Sequence, residues 1–574
     1  MQNKTPKIKS IFAAALVFSI ALLAGCASSE QDDQDVVEQT PSPRSEPPGS
    51  EPAALQERAI NRMVAVSPTA AGESAQFHHV DAIGHLRHPN WPIERPVDHE
   101  NYAHFDDNPI RRANEQPVST FSIDVDTAAY ANVRRMLQAG HLPPRDAVRV
   151  EEMINYFGYD YPLPDAGAAP FSVHVEQATT PWNANTRLVQ IGIKGYEPKA
   201  EEIPPANLVF LIDVSGSMAP ANRLPMMIQA MKMLVRELGP EDRVAIVVYA
   251  SATGLVLEST PGNQKAKINA ALDQLQAAGA TNGGAGIQQA YAQAEQAYIE
   301  GGINRVILVT DGDFNVGTVS FQALVELAQS RRESGIALTT LGVGSGNYND
   351  HLMEQLAAGS NGNYHYIDTL SEARKVLVDE RQATLMTIAH DVKIQVEFNP
   401  AVVAEYRLIG YENRLLARED FNNDQVDAGD IGAGHTVTAL YEVALVGSGG
   451  ERVDPLRYGS DEPRIQPAHD GELGFLRLRY KQPGSDRSDL IETPIAAMSG
   501  RELPGTASER LGFAAAVAAF GQHLRGGEQL EGFSLDQIHT LASQSRGEDP
   551  YGYRGEFLQL IRLSESLGVA QRQQ

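Results

Sequence analysis

Cysteine is almost absent from this chain, which has a single one, Cys26, in 574 residues. One thiol cannot form an intramolecular disulfide, so no disulfide framework holds the fold together. Basic residues are also few, since 47 Lys and Arg against 73 Asp and Glu give a formal net charge of −26. A chain this acidic is repelled by nucleic acid and by anionic lipid headgroups, and we expect neither as a partner.

The signatures of common catalytic sites are missing as well. The sequence contains no HExxH metalloprotease motif and no GxSxG nucleophile elbow, and SGSM at 215–218 lacks the lysine of an SxxK acyl enzyme. The stretch DVDTA places Thr127 one position too early for the DxDxT signature of aspartyl-phosphate enzymes. We interpret Asp124, Asp126 and Thr127 instead as caps of the following helix. The sequence therefore indicates a protein that is not an enzyme.

The first 26 residues have the pattern of an export signal. Lysines precede an apolar run from Ile11 to Leu23, which is shorter than the roughly 20 residues of a membrane-spanning helix. The run leads into LAGC, which resembles the lipobox of bacterial lipoproteins, in which the cysteine is acylated and becomes the N-terminus. Asp after the cysteine would be the familiar signal for inner-membrane retention, but Ala27 stands there. We therefore expect a signal peptide over 1–26, a lipid anchor on Cys26, and attachment to the bacterial envelope, at the outer membrane.

Residues 27–75 have little to bury. They are rich in Ser, Glu, Asp and Pro, a composition that keeps a chain extended and disordered, so we expect an acidic tether. About 500 residues remain, which is more than one hydrophobic core usually serves, and we expect two to four domains.

The stretch Leu208 to Met218, LVFLIDVSGSM, combines a buried strand with a polar loop. Five apolar residues are followed at every second position by Asp213, Ser215 and Ser217, a DxSxS pattern. A carboxylate and two hydroxyls offer only hard oxygen ligands. Such ligands suit Mg²⁺ or a similar cation, and not zinc or copper.

Two more polar residues follow strand-like segments downstream. Thr281 lies in GATNGG, and Asp311 follows the short apolar segment Val306 to Val309 in VILVTDGD. Open α/β sheets bind ligands beyond the carboxyl ends of their strands, so these loops can converge with the DxSxS loop over one metal ion. Ser, Asp and Thr are also common at helix caps and turns, so DxSxS alone does not identify a metal site.

With Thr281 and TDGD in this order, the region 205–380 resembles a von Willebrand factor type A (VWA) domain with a metal-ion-dependent adhesion site. The resemblance implies that Ser215 and Ser217 ligate the metal directly, while Asp213, Thr281 and Asp311 complete the shell directly or through water. Strand and helix patterns alternate across this region, which favours an α/β fold with a doubly wound, mostly parallel, Rossmann-like sheet.

The flanking regions resemble those of bacterial VWA lipoproteins of the YfbK type. Region 100–200, with PWN and IGIKGY, predicts an α+β unit, and region 388–570, with YRLIGYENR, predicts a β-sandwich followed by helices. Strands at Phe171 to Gln177 and Arg187 to Lys194 cannot form a stable unit alone. We predict that they join strands from about 390 to 495 in one sandwich, with the VWA domain inserted between. The alternative is pairing with a strand at Phe121 to Val125.

Together these features favour a binding protein. In the first hypothesis Mg²⁺, or Mn²⁺ or Ca²⁺ in its place, keeps an open coordination position that an Asp or Glu of a partner protein fills. In the second, the protein is a structural or assembly factor of the cell envelope, and the metal only orders the loops.

Overall fold

The computed structural model describes residues 100–572 except 124–125, 166–168, 282, 313–320, 333, 347, 458–468, 470 and 499–506. The expected signal peptide, the lipidation site Cys26 and the tether lie outside the described residues. Within these ranges, no helix is both long and apolar enough to cross a bilayer.

The strands and helices of the described residues have the following bounds. The strands are β1 (Arg111–Arg112), β2 (Val118–Ser122), β3 (Phe171–Thr180), β4 (Asn183–Gly195), β5 (Ala206–Asp213), β6 (Arg243–Tyr249), β7 (Thr253–Pro261), β8 (Ile303–Thr310), β9 (Ala337–Val343), β10 (Tyr364–Ile367), β11 (Thr387–Phe398), β12 (Val403–Ile409), β13 (Gly429–Gly432), β14 (Thr436–Leu445), β15 (Glu472–Lys481) and β16 (Ser488–Ala496). The helices are α1 (Ala128–Gln138), α2 (Val150–Asn155), α3 (Leu224–Glu237), α4 (Lys265–Asp273), α5 (Gly284–Gln296), α6 (Phe321–Arg332), α7 (Asp350–Ala358), α8 (Leu370–Arg374), α9 (Arg381–Leu385), α10 (Glu509–Leu524), α11 (Leu535–Gln544) and α12 (Tyr553–Arg572).

The central α/β region has a six-stranded sheet in the order β10-β9-β8-β5-β6-β7. Its strands are parallel except β7, which pairs with β6 in the antiparallel sense. The side chains of β5 alternate between two hydrophobic cores, one on each face of the sheet. Phe210 and Ile212 lie in the core that includes α3, and Leu211 lies in the core that includes α5. The expected doubly wound, mostly parallel α/β fold is confirmed. The sequence interpretation did not include β7 and β10.

The flanking regions combine into a sandwich of two antiparallel sheets. One has the order β1-β12-β14-β4-β3, and the other contains β13, β11, β15 and β16, with β2 also paired to β11. A continuous ladder joins β4 to β14, from Lys194 opposite Thr436 to Thr186 opposite Ala444. The prediction that the α/β domain is inserted into the sandwich is therefore confirmed. Pairing of β3 or β4 with β2 is wrong, because β2 lies beside β11, where Phe121 faces Ile394.

A layer of helices covers the outer face of the β4–β14 sheet. Side chains alternate along β4, so Ile191 and Ile193 point into the core between the two sheets while Leu188 points toward the helices. Helix α10 is buried on nearly all sides, as expected of a helix that is apolar all round. Helices α2, α11 and α12 pack against it, and α1 joins the layer through contacts with α2 and α12.

Two of the three expected caps of α1, Asp126 and Thr127, lie in the described residues. Thr127 occupies the N-cap position but its side chain makes no capping hydrogen bond. Asp126 accepts from the backbone of β10 instead, and Asp124 lies outside the described residues. Glu152 of α2 accepts from the backbone N–H of Ala129, at 2.8 Å. The capping interpretation is wrong for Asp126 and Thr127, because a side chain distant in sequence supplies the acceptor.

Buried ion pairs join the inserted α/β domain to the helical layer. Arg149 lies 2.6 Å from Asp350 of α7, and Arg134 lies 2.8 Å from Glu372 of α8. These four side chains are at most 3% exposed. Removing one partner of such a pair leaves an uncompensated buried charge, so the contacts hold the inserted domain firmly against α1 and α2.

Candidate metal centre

The two candidate carboxylates emerge side by side at the carboxyl edge of the α/β sheet. Asp213 is the last residue of β5, and Asp311 directly follows β8. These strands are parallel neighbours, with Ile212 opposite Val309. Both acids are buried, Asp213 completely and Asp311 to within 3%. The fold therefore places two carboxylates at the position where open α/β sheets bind ligands.

The side chain of Asp213 shapes the loop that carries the serines. Its Oδ1 accepts a 2.8 Å hydrogen bond from the backbone N–H of Ser215, an Asx-type turn. The Oγ atoms of Ser215 and Ser217 then lie 2.9 Å apart. Ser215 is buried and Ser217 is exposed. The two hydroxyls are thus close enough to contact one ion, and one of them lies at the solvent edge.

The loop that leads to Thr281 packs against the serine loop through its backbone. The N–H of Gly216 donates to the carbonyl of Gly279 at 2.9 Å, and the N–H of Ala278 donates to the carbonyl of Val214 at 2.7 Å. Thr281 itself is partly buried. The backbone, rather than the Thr281 hydroxyl, makes these contacts.

One carboxylate oxygen of Asp311 is buried and receives no hydrogen bond from any residue that the structure describes. Its Oδ2 forms an ion pair with Nη1 of Arg223. Its Oδ1 has no hydrogen-bond partner among the described residues. A buried carboxylate oxygen without a donor is unfavourable unless a cation satisfies it.

Arg223 was not foreseen as part of this site. Its Nη1 also donates to the carbonyl of Ser217 at 2.9 Å, and its Nη2 donates to the carbonyl of Ser345 at 2.8 Å. Nothing in the local sequence distinguishes this arginine from others on the surface. Its role depends on contacts with residues as distant as Asp311 and Ser345.

Burial of Asp213 raises its pKa to about 6, an effect that hydrogen bonds from Ser215 partly offset and that nearby Asp311 reinforces. Burial and the neighbouring Asp311 charge thus disfavour the ionised form of Asp213. A bound divalent cation would reverse this effect, because it favours the charged form of the Asp213 carboxylate. The electrostatics of the edge therefore favour a cation.

The residues present are consistent with a hard divalent ion. All candidate donors are hydroxyl or carboxylate oxygens, as Mg²⁺, Mn²⁺ and Ca²⁺ prefer. In the described part of the chain, no group of three or more His, Cys, Asp and Glu residues is placed to hold a metal. The candidate site differs in kind from such groups, since the structure brings two carboxylates, Asp213 and Asp311, to the same sheet edge as the hydroxyls of Ser215 and Ser217.

Three family models match parts of the chain. The VWA model, "von Willebrand factor type A domain", matches residues 207–379. A model described as "von Willebrand factor" matches residues 96–190, and one described as "Uncharacterized protein YfbK, C-terminal" matches residues 383–567.

Among solved structures, a von Willebrand factor type A protein from Catenulispora acidiphila is 17% identical. The match covers 68% of this chain and 89% of that one, with a TM-score of 0.37. The inter-alpha-trypsin inhibitor heavy chain H3 of Pongo abelii is 24% identical over 272 residues, 44% of this chain and 30% of that protein.

YfbK of Escherichia coli (strain K12) is 49% identical over 472 residues, which are 81% of this chain and 81% of that protein. Its similarity extends well beyond the α/β domain into the flanking regions. The chain therefore belongs to the YfbK family and contains a von Willebrand factor type A domain.

Proposed function

We propose that this protein is a divalent-metal-dependent protein-binding module. A cation held by Asp213, Ser215, Ser217, Thr281 and Asp311 would accept an acidic side chain of a partner protein. The observation that carries the proposal is Oδ1 of Asp311, buried without a hydrogen-bond donor among the described residues. It lies at the same sheet edge as the paired serine hydroxyls.

The exposure of the site supports binding by a partner. Ser217 is exposed, whereas Asp213, Ser215 and Asp311 are buried. An ion between these groups would be held from the protein side and open toward solvent at Ser217. A carboxylate of a partner is the ligand that best matches the remaining side of Mg²⁺, or of Mn²⁺ or Ca²⁺.

The proposal includes attachment to the bacterial envelope. The LAGC sequence supports lipidation of Cys26, and residues 27–75 would then hold the folded part away from the membrane. Several acyl chains make such an anchor stable, since a single chain binds a bilayer only marginally. With Ala27 after the cysteine, the outer membrane is the expected destination, and the folded part would face the periplasm or the surface.

A structural role is the second candidate, and the buried ion pairs favour it. Arg149 with Asp350 and Arg134 with Glu372 fix the VWA domain to the helical layer. In this case the sandwich and helices would carry the envelope function, and the metal would only order the loops. Metal removal would then lower stability without affecting the capture of a partner.

A pull-down from detergent-solubilised envelope distinguishes the two. Residues 27–574 are immobilised in Mg²⁺ or in EDTA, as wild type, as Ser215→Ala with Ser217→Ala, and as the control Ser330→Ala on α6. We expect a partner that is retained in Mg²⁺ by wild type and control, and lost in EDTA and with the double variant. Circular dichroism should show all these samples folded.

Substitutions in the captured partner then test whether one of its acidic side chains binds the metal. Replacement of one of its Asp or Glu residues should abolish binding, measured by isothermal titration calorimetry with metal present. Binding that persists in EDTA and in the double variant would refute the metal-dependent module and favour the structural role.

A further inference from the structure

Arg223 connects three loops at the edge of the metal centre. Its guanidinium forms an ion pair with Oδ2 of Asp311 and donates to the carbonyls of Ser217 and Ser345, at 2.9 and 2.8 Å. The side chain is only 16% exposed. Arg223 is therefore a cation that the chain itself supplies to Asp311.

The surrounding backbone is shaped to accept this arginine. Gly344, at the carboxyl end of β9, has a φ of +81°, and a Cβ atom at this position would overlap Nε of Arg223. Glycine is the residue that adopts this conformation without strain and leaves that space open. The placement of Arg223 thus depends on a specific neighbour in the fold as well as on its ion pair.

A divalent ion and Arg223 would share one carboxylate. Asp311 presents Oδ2 to the guanidinium, while Oδ1 is the oxygen left for a metal. Two cations this close repel each other, and repulsion is stronger in a partly buried site than in water. Metal binding must therefore overcome the charge of Arg223.

We propose that Arg223 is a latch, meaning that its guanidinium pairs with Asp311 when no metal is bound and competes with the metal ion for this carboxylate. The positive charge of Arg223 thereby sets the metal affinity of the site. The inference rests on the proposed metal-binding function, because it concerns the same carboxylate. The opposite role would be positioning, in which Arg223 holds Asp311 in place and its loss weakens metal binding.

The backbone favours competition over positioning. Asp311 directly follows β8, which lies between β5 and β9 and pairs with both as far as Val309 and Thr310. Its main chain is therefore held by two ladders without help from Arg223. What Arg223 adds is mainly charge, so its removal should strengthen metal binding.

Titration with Mn²⁺ by calorimetry, and thermal unfolding in EDTA, test the latch. The variants are Arg223→Gln, which removes the charge, and Arg223→Lys, which keeps it. Arg236→Gln is the matched control. Arg223 is the N-cap residue of helix α3, and Arg236 is an exposed residue in the last turn of that helix, so its substitution also removes one positive charge. Circular dichroism verifies folding of each variant.

For Arg223→Gln we expect Mn²⁺ affinity to rise by about tenfold or more, since cation repulsion is removed. Its metal-free melting temperature should fall, because Asp311 loses its buried partner. Arg223→Lys and Arg236→Gln should bind Mn²⁺ as the wild type does. This pairing of tighter binding with a less stable metal-free protein is not expected of a residue that only supports the fold.

Unchanged or weaker Mn²⁺ binding by Arg223→Gln would overturn the latch and leave the metal-binding proposal standing. Binding by the glutamine variant but not by the wild type would support the latch in its strongest form. Absence of Mn²⁺ binding by all variants would overturn the metal-binding proposal, and the latch with it.

Discussion

In the proposed metal centre, the hydroxyls and the carboxylates would have different tasks. Ser215 and Ser217 are neutral, so they can direct a cation without adding charge to the sheet edge. Asp213 and Asp311 supply the charge. Asp311 already has Arg223 as a partner, whereas burial makes the charge of Asp213 unfavourable until a cation binds. Loss of the hydroxyls should therefore affect metal binding more than stability.

We predict that Ser215→Ala with Ser217→Ala abolishes Mg²⁺ binding and leaves the fold intact. The core residues of β5, such as Val209 and Leu211, are fully buried and unaffected by the change. Calorimetric titration with Mg²⁺ measures the loss, and near-ultraviolet circular dichroism measures the fold. Unchanged Mg²⁺ affinity would mean that the serines are not ligands.

For single residues, the sequence indicated candidates for the metal centre but not the side chains that contact those candidates in the folded chain. DxSxS indicates Asp213, Ser215 and Ser217 as candidates because they lie close together in the sequence, at every second position. Arg223 could not be predicted, since its role comes from contacts with Asp311 and Ser345 that only the folded chain brings together. Local patterns carry no information about such contacts.

Among the elements, β10 joins the VWA domain to helix α1. Its His365 is 3% exposed, and Nδ1 lies 3.3 Å from the hydroxyl of Thr127. Burial, with repulsion from Lys375 and other nearby basic groups, lowers the pKa of His365 from 6.5 to about 3. Between these values the unfolded chain binds a proton that the folded protein does not.

The stability contributed by neutral His365 is therefore present above about pH 6.5 and decreases as the pH falls toward 3. We predict that His365→Gln makes the free energy of unfolding less dependent on pH in this window, by up to about 1.4 kcal/mol per pH unit. Urea titrations between pH 4.5 and 7.5 measure it, with exposed His141→Gln as the control. An unchanged slope would contradict a buried, neutral imidazole.

The junction of α2 and α7 gives a second test at this scale. We predict that Arg149→Met lowers the free energy of unfolding by about 3–5 kcal/mol, because buried Asp350 and Glu152 lose their cation. Exposed Arg236→Met should have little effect. Urea denaturation measures both, and equal stability of the two variants would show that the ion pair does not hold the domains together.

Element prediction succeeded where the apolar pattern was long and regular. The apolar core of β5 and the helix α3 follow from periodicity alone. Strand β7 was missed because its register shifts against β6 interrupt the alternation, and β10 because it has only four residues, YHYI. The capping of α1 by Glu152 was missed because the acceptor is distant in sequence.

For the whole molecule, the order of elements along the chain predicted the insertion. Strands β3 and β4, which precede the VWA domain, needed further partners. They pair with each other, and β14 pairs with β4. The buried ion pairs between the inserted domain and the helical layer were not predictable. Arg134, Arg149, Asp350 and Glu372 resemble ordinary surface charges in the sequence, and only the packing of the layers buries them.

The proposed attachment of the whole protein to the membrane through Cys26 can be tested separately. Cys26→Ser should abolish incorporation of labelled palmitate and leave the protein uncleaved or released from the membrane fraction. Fractionation of cells that express the tagged wild type and variant measures this. A variant that is still processed and lipid-labelled would contradict lipidation at Cys26.

The central claim is that the carboxyl edge of the α/β sheet is a metal centre. Crystals of the folded part grown with Mn²⁺ test it most directly, through the anomalous signal of the metal. We expect a single strong peak within ligand distance of the hydroxyls of Ser215 and Ser217, and no peak there in crystals of the double alanine variant. A density map without a peak at this edge, or with Mn²⁺ bound elsewhere in both proteins, would contradict it.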